Sequence, residues 1–373
     1  MSTDRNSDVL VVGAGIAGLS HAVAAVERGL TVTIIDRDSR AVGASVRNFG
    51  HACVTAQSGE LLELALVARE KWLRYGALAG FFHVESGALA VARTVAESAV
   101  LEELSASRES GQVQLLTEHE VRERVGAASD PTIRGGALLR DDLRVDPREA
   151  VGALAAWLAG QPGVTFQWRT SYFGASDGVV STSHGEFRAE RTIVCVGHDL
   201  DLLYPELAEE YQVERCGLQM ARVAAPAGLR IAPAVLTGTS MLRYPAFAET
   251  DAAAALAVEM AVEHPELLDI VANVMFTQRP DGTLLVGDSH RYGLTQAPFL
   301  AEATTATLLD AITRILGVEL TVVERWQGIY ASSPRQPFLI AEPTSGVTVA
   351  IVTSGVGMTI SLGLAEKTFS TFS

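Results

Sequence analysis

The sequence predicts an α/β fold in which a parallel-sheet unit, discontinuous along the chain, is interleaved with a second, antiparallel sheet. Three observations support this prediction. A βαβ pattern opens the chain over residues 8–36. A buried-strand run that ends in glycine, residues 192–197, is typical of a later return to the first sheet. Strand patterns separated by turn signals fill residues 213–290, which indicates a second sheet.

The opening unit carries a glycine pattern in its full structural context. An apolar run leads into Gly13-Ala14-Gly15-Ile16-Ala17-Gly18, and a second apolar run ends in Asp36. This spacing is the dinucleotide-binding fingerprint, in which Gly13 permits the tight turn, Gly15 admits a pyrophosphate and Gly18 allows close helix packing. The helix N-terminus favours phosphate charge, and Asp36 can accept hydrogen bonds from a ribose diol. An ordinary buried α/β unit is the less favoured alternative.

The middle of the chain alternates helical and strand patterns. An irregular loop is predicted over residues 37–57, and Asp146-Pro147 is typical of a helix start, with Asp at the N-cap and Pro in the first turn. The other predicted elements are helices at 59–75, 95–107 and 117–125, a strand at 87–92, and short strands within 164–188.

The later part of the chain predicts the second sheet and a return to the first. Asp281-Gly282 is a hairpin-turn signal, and Ser354-Gly355-Val356-Gly357 is a turn before the last helix. The predicted strands are 217–224, 241–247, 272–278, 283–287 and 347–352, and the predicted helices are 299–316 and 358–369. A chain that visits one sheet, leaves, returns and leaves again predicts a discontinuous domain.

Composition narrows the class of protein. The 373 residues are 48% hydrophobic, which is enough for two joined domains. A net charge of -15 argues against binding to a nucleic-acid backbone, and it requires a local cluster of basic groups for any anionic substrate. The three cysteines have unrelated spacings and indicate neither a disulfide framework nor a metal site. We expect no signal peptide and no membrane span, and therefore a cytoplasmic protein.

Taken together, these motifs resemble the D-amino acid oxidase, glycine oxidase and sarcosine oxidase group of FAD-dependent amine oxidoreductases. The resemblance is carried by five segments in the expected order: the glycine fingerprint with Asp36; the loop 43–50; the Asp146-Pro147 helix; Cys195-Val196-Gly197-His198; and Trp326-Gln327-Gly328 followed by residues 354–358. It implies a Rossmann-like FAD-binding domain formed by residues 1–80, 144–212 and 326–373. An antiparallel-sheet substrate domain would comprise residues 81–143 and 213–325.

The resemblance also implies roles in binding FAD non-covalently. Ser45 would lie beside the flavin, Tyr172 would meet the adenine through its backbone, and Gly197 would lie against the pyrophosphate. The helix that starts near Gly357 would direct N–H groups at the flavin pyrimidine edge, where reduced flavin carries negative charge. The expected FAD-binding residues are Gly13, Gly15, Ile16, Ala17, Gly18, Asp36, Arg37, Ser45, Arg47, Asn48, Tyr172, Gly197, Gly355, Gly357, Met358 and Thr359.

Departures from the family pattern bear on the substrate. Amino-acid oxidases of this group commonly bind the substrate carboxylate with an Arg after the Trp-x-Gly motif, where this chain has Tyr330. Val356 replaces the His often found in the final glycine turn. The segments 47–51, 287–293 and 354–358 are instead similar to a subgroup associated with aminophosphonate breakdown. A phosphonate is more highly charged than a carboxylate and favours several Arg and His donors.

We therefore expect a substrate pocket lined by basic and phenolic side chains. Arg243-Tyr244 is a further basic candidate, and each of these residues also has a purely structural interpretation, such as a surface charge or a packed histidine. The residues predicted to form the pocket are Arg47, His51, His290, Arg291, Tyr330 and Arg335.

The predicted function is FAD-dependent oxidation of the C–N bond of a small primary or secondary amine that carries an anionic group, for example N-methyl-2-aminoethylphosphonate. Hydride would pass to flavin N5, the imine would hydrolyse, and O2 or another oxidant would reoxidise the flavin. A model alkylammonium has a pKa of ~10, so the pocket must favour the free amine.

Three alternatives stay open at this point. The first is an oxidase of glycine, sarcosine or another amino acid. The second is a flavoprotein subunit or binding protein of a larger complex, and the third is NAD binding by the same glycine fingerprint. The sequence leaves the oligomeric state undetermined, with a homo-oligomer as one option.

Overall fold

A computed structural model describes residues 5–126, 129–226 and 228–372 of the chain. The strands in this part of the chain are β1 (Asn6–Val12), β2 (Val32–Asp36), β3 (His51–Ala52), β4 (His83–Val84), β5 (Ala88–Ala92), β6 (Val113–Thr117), β7 (Gly135–Leu139), β8 (Leu143–Val145), β9 (Val164–Trp168), β10 (Tyr172–Ser176), β11 (Val179–Thr182), β12 (Gly185–Val194), β13 (Glu214–Ala224), β14 (Ala234–Leu236), β15 (Met275–Gln278), β16 (Leu284–Gly293), β17 (Thr321–Ser332), β18 (Phe338–Thr344) and β19 (Val347–Val352).

The helices surround these strands. They are α1 (Ile16–Glu27), α2 (Gly59–Ala79), α3 (Val95–Ser107), α4 (Glu118–Val125), α5 (Pro147–Ala159), α6 (Leu200–Leu203), α7 (Pro205–Glu210), α8 (Gly238–Met241), α9 (Pro245–Ala248), α10 (Ala252–Glu263), α11 (Pro265–Asp269), α12 (Glu302–Leu316) and α13 (Gly357–Ser370). No helix of the described ranges is both long enough and apolar enough to cross a membrane.

The first large sheet has a parallel centre. Strand β1 lies between β12 and β2, β9 pairs with β2, and β19 pairs with β12, all in parallel register. The strands β1 and β2 are rich in Val and Ile because helices and strands cover both of their faces. The opening βαβ unit and the return strand, here the end of β12, are confirmed.

The second large sheet follows the order β17-β13-β16-β15-β14-β5-β7-β6 and is antiparallel except where β14 pairs with β5. Its strands come from two separate stretches of the chain, so the interleaved α/β fold class is confirmed. The division into two domains with the bounds given above stays a prediction. The predicted boundary between residues 325 and 326 falls inside β17, and residues 1–4, 127–128, 227 and 373 of the predicted segments lie outside the described residues.

One predicted strand is wrong. Residues 241–247 form the end of α8, a short connection and the start of α9, not a strand. Pro245 occupies the first turn of α9, where its missing N–H costs nothing, whereas in a central strand it would break the ladder. A short apolar run gives no periodicity that separates helix from strand. The helical turns matter for function because they place Arg243 between them.

The helices α1, α2 and α13 pack together on one face of the first sheet. A Cβ on Gly363 would lie 2.1 Å from the Leu64 carbonyl oxygen, so only glycine allows α13 to approach α2 this closely. The buried side chains on this face include Val9, Ile34, Leu19, Trp72 and Leu362. This packing fixes the N-terminus of α13 beside the first sheet.

Candidate cofactor and substrate site

A long cavity of about 540 Å³ extends from the turn after β1 to the second sheet. One end is lined by Gly13, Asp36, Tyr172 and Gly197, the middle by Ser45, Arg47, Asn48 and residues 354–358, and the far end by Arg243, Asn273, Asp288, His290 and Tyr330. The first end lies at the carboxyl edge of the parallel strands, where open α/β sheets bind ligands.

Glycines shape the first end because side chains would not fit there. Gly13 has φ +99°, and a Cβ on it would lie 2.6 Å from the Cys195 carbonyl oxygen. A Cβ on Gly18 would lie 1.8 Å from the Gly13 carbonyl oxygen. Gly15 lines the cavity, and its Cβ would approach the Ser45 hydroxyl to 3.0 Å. The backbone of this turn is therefore accessible to a ligand, and side chains at the glycine positions would block that access.

Hydrogen bonds hold the turn in place. The Ala14 N–H donates to Asp36 Oδ2 at 2.7 Å, and the Asp38 N–H donates to Asp36 Oδ1 at 2.8 Å. Burial raises the pKa of Asp36, although these two N–H donors lower it. The Ile16 N–H donates to Ser45 Oγ at 2.9 Å. Each Asp36 oxygen keeps a second lone pair, so the predicted bond to a ribose hydroxyl stays chemically available.

The middle of the cavity faces the N-terminus of α13. The Trp72 Nε1–H donates to the Met358 carbonyl at 2.7 Å, which anchors the first turn of this helix. Thr359 does not line the cavity; its Oγ1 accepts from the Cys53 N–H at 3.1 Å. Gly355 packs on Tyr330, since a Cβ there would lie 3.0 Å from that ring.

Arg243 is the basic side chain that the sequence-based pocket prediction left out. It lies between α8 and α9, half-buried, and its Nη2 donates to the Tyr330 hydroxyl at 2.8 Å. Its Nη1 lies 3.5 Å from the Tyr292 hydroxyl. Burial alone would lower the pKa of Arg243, but Tyr330, Asp288 and Tyr292 raise it, so the guanidinium is charged. In the described ranges, no carboxylate oxygen lies within 4.0 Å of a guanidinium nitrogen of Arg243, the distance that defines an ion pair.

A bulge in β16 places an acid at the far end of the cavity. Gln219 of β13 pairs with Ser289 and Met220 pairs with Gly287, so Asp288 is left over between them. Asp288 is only 6% exposed, and its Oδ1 has no hydrogen-bond partner. Burial raises the pKa of Asp288 to about 7, although Arg243 lowers it. The signal in the sequence is an acid that directly follows an apolar strand, although Asp288 is not among the six residues predicted to form the pocket.

His290 lies next to this acid and is uncharged. Its Nδ1 lies 2.8 Å from the Val271 carbonyl, which favours the tautomer that donates from Nδ1. Burial and then Arg243 lower the pKa of His290 to about 3. Its Nε2 is 3.6 Å from Asp288 Oδ2.

The structure brings three of the six predicted pocket residues to the cavity: Arg47, His290 and Tyr330. Arg47 also donates from Nη1 to the Gln327 carbonyl at 3.0 Å. Arg291 is exposed and outside the cavity because side chains alternate along β16, so its neighbour His290 faces inward. Arg335 is exposed in the loop after β17, also outside the cavity.

His51 is the third predicted pocket residue outside the cavity. It lies in the small sheet β3-β8-β4, where its Nε2 is 2.7 Å from Asp142 Oδ2 and both side chains are buried. Cys53 brings its sulfur within 4.8 Å of these two groups, but burial raises the pKa of this thiol well above its usual range. The cluster therefore holds the loop after β3 and does not face the substrate end.

Comparison with known proteins decides the family. The family model described as FAD dependent oxidoreductase, DAO, matches residues 8–370. The chain belongs to the DAO family of FAD-dependent oxidoreductases. A comparison with curated protein sequences gives no significant match.

Solved structures agree with this family fold. The chain is similar to glycine oxidase from Geobacillus kaustophilus, with a TM-score of 0.76 and 21% identity over 97% of this chain and 94% of that one. It is similar to iminodiacetate oxidase from Chelativorans sp. BNC1, with a TM-score of 0.75 and 20% identity over 96% and 94%. The FAD-bound L-α-glycerophosphate oxidase from Mycoplasma pneumoniae gives a TM-score of 0.75 and 18% identity over 98% and 94%. At these identities the likeness shows the fold.

The cavity fits the cofactor that the family requires. Glycines open one end where any side chain would collide, and the N-termini of α1 and α13 face the same space. Two helix N-termini suit the pyrophosphate, which is negatively charged, and the flavin edge, which becomes negatively charged on reduction. FAD as cofactor is confirmed, and the NAD alternative is excluded for this DAO-family chain.

Of the residues predicted to bind FAD, all but Gly18 and Thr359 line the cavity. Gly18 lies in the first turn of α1, where it allows close packing on the turn after β1. Their individual contacts with FAD stay predictions.

Proposed function

We propose that this DAO-family oxidoreductase oxidises the C–N bond of a small primary or secondary amine that carries an anionic group. The observation that carries the proposal is Arg243, a charged guanidinium that lines the cavity and forms no ion pair within 4.0 Å among the described residues. Charges removed from water in proteins are normally paired. An anionic group of the substrate would supply the missing partner. Arg243 would then be the local basic group that an anionic substrate requires in a chain of net charge -15.

An aminophosphonate such as N-methyl-2-aminoethylphosphonate is the substrate we favour. Arg243 and Tyr330 also line a smaller recess of about 220 Å³, whose walls are rich in hydroxyl groups. Its hydroxyl-bearing residues are Tyr244, Tyr292, Tyr330, Ser332, Ser333, Thr353 and Ser354. Ser333, Thr353 and Ser354 donate their hydroxyl protons to backbone carbonyls. A phosphonate has three acceptor oxygens, and the hydroxyls of Tyr292, Tyr330 and Ser332 would be its donors besides the guanidinium.

FAD, when bound, accepts the hydride from the carbon next to the amine nitrogen. The side chains of the cavity bind and orient the substrate. Arg243 would hold the anionic group, and His290, whose pKa burial and Arg243 lower to about 3, would be uncharged beside it. Apolar side chains from Phe49, Leu218 and Ile329 line the same cavity and exclude water, which favours the free amine over the ammonium form.

Oxidation of glycine, sarcosine or another amino acid is the second candidate. One guanidinium is sufficient to bind a carboxylate bidentately, and Arg243 is such a group. The names of two similar structures, glycine oxidase and iminodiacetate oxidase, refer to substrates with a carboxylate next to a nitrogen.

Anaerobic bleaching of the bound flavin tests the proposal. The panel contains N-methyl-2-aminoethylphosphonate, 2-aminoethylphosphonate, sarcosine, glycine, N-methylpropylamine as the matched amine without an anion, and glycerol 3-phosphate as the anion without an amine. We expect fast bleaching by the aminophosphonates and none by N-methylpropylamine. Bleaching by sarcosine or glycine alone would establish the second candidate. Bleaching by no amine of the panel would refute the proposal.

The alternative of a subunit in a larger complex has its own test. We expect the chain purified alone to be yellow and to be bleached by the same substrate at full stoichiometry. A chain that retains flavin but reacts only after addition of another protein would support the subunit alternative.

A further inference from the structure

We propose that Asp288 binds the ammonium group of the substrate and accepts its proton, so that oxidation starts from the free amine. The inference rests on the proposed function, because it assigns a place in the cavity to the amine of that substrate. It concerns a residue that the pocket prediction from sequence did not include.

The backbone of Asp288 is fixed on one side by two hydrogen bonds to Asn273. The Asp288 N–H donates to the Asn273 carbonyl at 2.9 Å, and the Asn273 N–H donates to the Asp288 carbonyl at 2.7 Å. On its other side the bulge leaves Asp288 without a pairing residue on β13. A bulge residue held this way directs its side chain out of the ordinary alternation of the strand. Asp288 thus lines the cavity from a rigid element.

The Asp288 carboxylate makes no short hydrogen bond to another described residue, although the side chain of Asn273 is near enough to lower its pKa. Asp288 Oδ1 is buried and makes no hydrogen bond, and Asp288 Oδ2 is 3.6 Å from His290 Nε2, which is beyond hydrogen-bonding distance. An unpartnered buried oxygen carries a full desolvation cost. A cationic N–H donor inside the cavity would satisfy it.

Arg243 does not fill this role. Its guanidinium is not within the 4.0 Å of an ion pair with Asp288 and instead contacts the hydroxyls of Tyr330 and Tyr292. The far end of the cavity therefore holds a cation, Arg243, and an anion, Asp288, that do not form an ion pair with each other. A substrate with an ammonium at one end and an anionic group at the other complements both charges, and a substrate with only one of these groups leaves the other charge unmatched.

The groups that face Asp288 leave it as the one that titrates near neutral pH. Burial lowers the pKa of His290 to about 3 and raises the pKa of the Cys216 thiol, on β13, to about 11. Burial also raises the pKa of Tyr244, and Arg243 is charged throughout. The carboxyl of Asp288, with its pKa raised to about 7, is a stronger base than an exposed aspartate. That raised basicity suits acceptance of a proton from an ammonium.

The proton transfer balances without another reactant. One N–H bond of the substrate ammonium breaks, its electron pair remains on nitrogen, and an O–H bond forms on the Asp288 carboxylate. Nothing is oxidised or reduced in this step. The proton stays on Asp288 until the product dissociates and is then released to solvent.

The variant Asp288→Asn tests the inference in the flavin-loaded enzyme, with the substrate that bleaches the wild type fastest. We expect the wild-type kcat/KM to fall as pH drops below about 7 and to show a plateau above it. The variant should be at least ~100-fold slower at about pH 8 and should recover as pH approaches the pKa of the substrate amine. An Asp288→Asn enzyme that keeps the wild-type acid limb and rate would overturn the inference.

Two controls separate the role of Asp288 from general damage to the fold. Asp142→Asn replaces another buried carboxyl, outside the cavity, and should keep the wild-type acid limb even if stability falls. Asp288→Glu should keep the acid limb with a changed midpoint, since it retains a carboxyl.

A second measurement uses the wild type alone and holds if Asp288→Asn fails to bind flavin. The slope of kcat/KM against pH between about pH 8 and about pH 9 is the readout, with a substrate whose ammonium pKa is ~10. With Asp288 as the acceptor of a proton from bound ammonium, kcat/KM should change less than about threefold over this range. A tenfold increase for each pH unit would show that the enzyme selects free amine from solution, and it would overturn the inference. Failure of every amine to bleach the wild type would instead refute the proposed function.

Discussion

The two ends of the cavity are built in different ways. At the end next to β1, backbone atoms and glycines set the shape, and Gly13 and Gly18 leave no room for a Cβ. At the substrate end, side chains from Arg243, Asp288 and Tyr330 set the shape, and a bulge and two helical turns position them. A ligand site built from backbone requires glycines at fixed spacing, and this spacing can be read in the sequence. A site built from side chains depends here on a strand bulge and two helical turns, which follow no sequence period.

The largest effect is expected from adding a Cβ at the end of the cavity that is built from backbone. Gly18→Ala should destabilise the fold by more than about 4 kcal/mol and abolish FAD binding, because the new atom would lie 1.8 Å from the Gly13 carbonyl oxygen. Flavin content and thermal unfolding measure the effect. The matched control is Gly152→Ala on the exposed face of α5, where no atom lies within 4 Å and a gain of about 0.5–1 kcal/mol is expected. Equal effects of the two substitutions would contradict the account.

The next effect concerns the side-chain-built end. Arg243→Met should leave FAD bound and weaken substrate binding by about 3 kcal/mol, a rise in KM of ~100-fold, because it removes the cation that faces the substrate anion. Arg291→Met and Arg335→Met are the matched controls and should leave KM unchanged, since both side chains are exposed outside the cavity. Steady-state kinetics of the three variants settles which arginine binds the anion. A large rise in KM for Arg335→Met alone would restore the arginine expected from sequence.

A pH experiment examines the backbone-built end without touching FAD contacts. Burial lowers the pKa of His21, on α1, from 6.5 to about 4. The unfolded chain therefore binds a proton at His21 that the folded chain does not, and stability is lost as pH falls below about 6.5. Between about pH 7.5 and about pH 5.5 this amounts to ~1.4 kcal/mol of unfolding free energy.

The variant His21→Leu should lack this part of the pH dependence, whatever its stability at neutral pH. His119→Leu changes an exposed histidine on α4 and should keep the wild-type pH dependence. Urea unfolding at the two pH values measures both variants. Identical pH dependence in wild type and His21→Leu would show that His21 does not carry the effect.

The smallest expected effect sharpens the role of Tyr330. Tyr330→Phe removes the hydroxyl that accepts from Arg243 Nη2 while it keeps the ring that packs against Gly355. We expect a rise in KM of about fivefold, or ~1 kcal/mol, with FAD content unchanged. Loss of FAD from this variant would mean that the hydroxyl, not the ring, supports the turn before α13.

Much of the fold could be predicted from the sequence, and the reason is local. The register of Gly13, Gly18 and Asp36 with their flanking strands identifies the nucleotide-binding unit, and Asp146-Pro147 marks the start of α5. These features rest on backbone conformation and capping within a few residues, which sequence spacing records. The return of β12 to the first sheet follows from its buried apolar run.

The substrate end could not be predicted in the same way. Residues 241–247 lack a period that distinguishes helix from strand, so Arg243 was expected in a strand. The bulge at Asp288 depends on how β13 and β16 pair, and no single strand shows it. Arg291 is charged and adjacent in sequence to His290, but alternation along β16 turns it away from the cavity. Tertiary pairing therefore decided which charged side chains line the cavity.

The N-termini of the first and last helices, α1 and α13, line the same cavity. α13 packs against α2 through the close contact of Gly363 with Leu64, and its N-terminus faces the same cavity as the turn after β1. Some 340 residues of chain therefore separate the two walls of one binding site, from Gly15 to Gly357. During synthesis on the ribosome, the cofactor site is therefore incomplete until α13 has emerged.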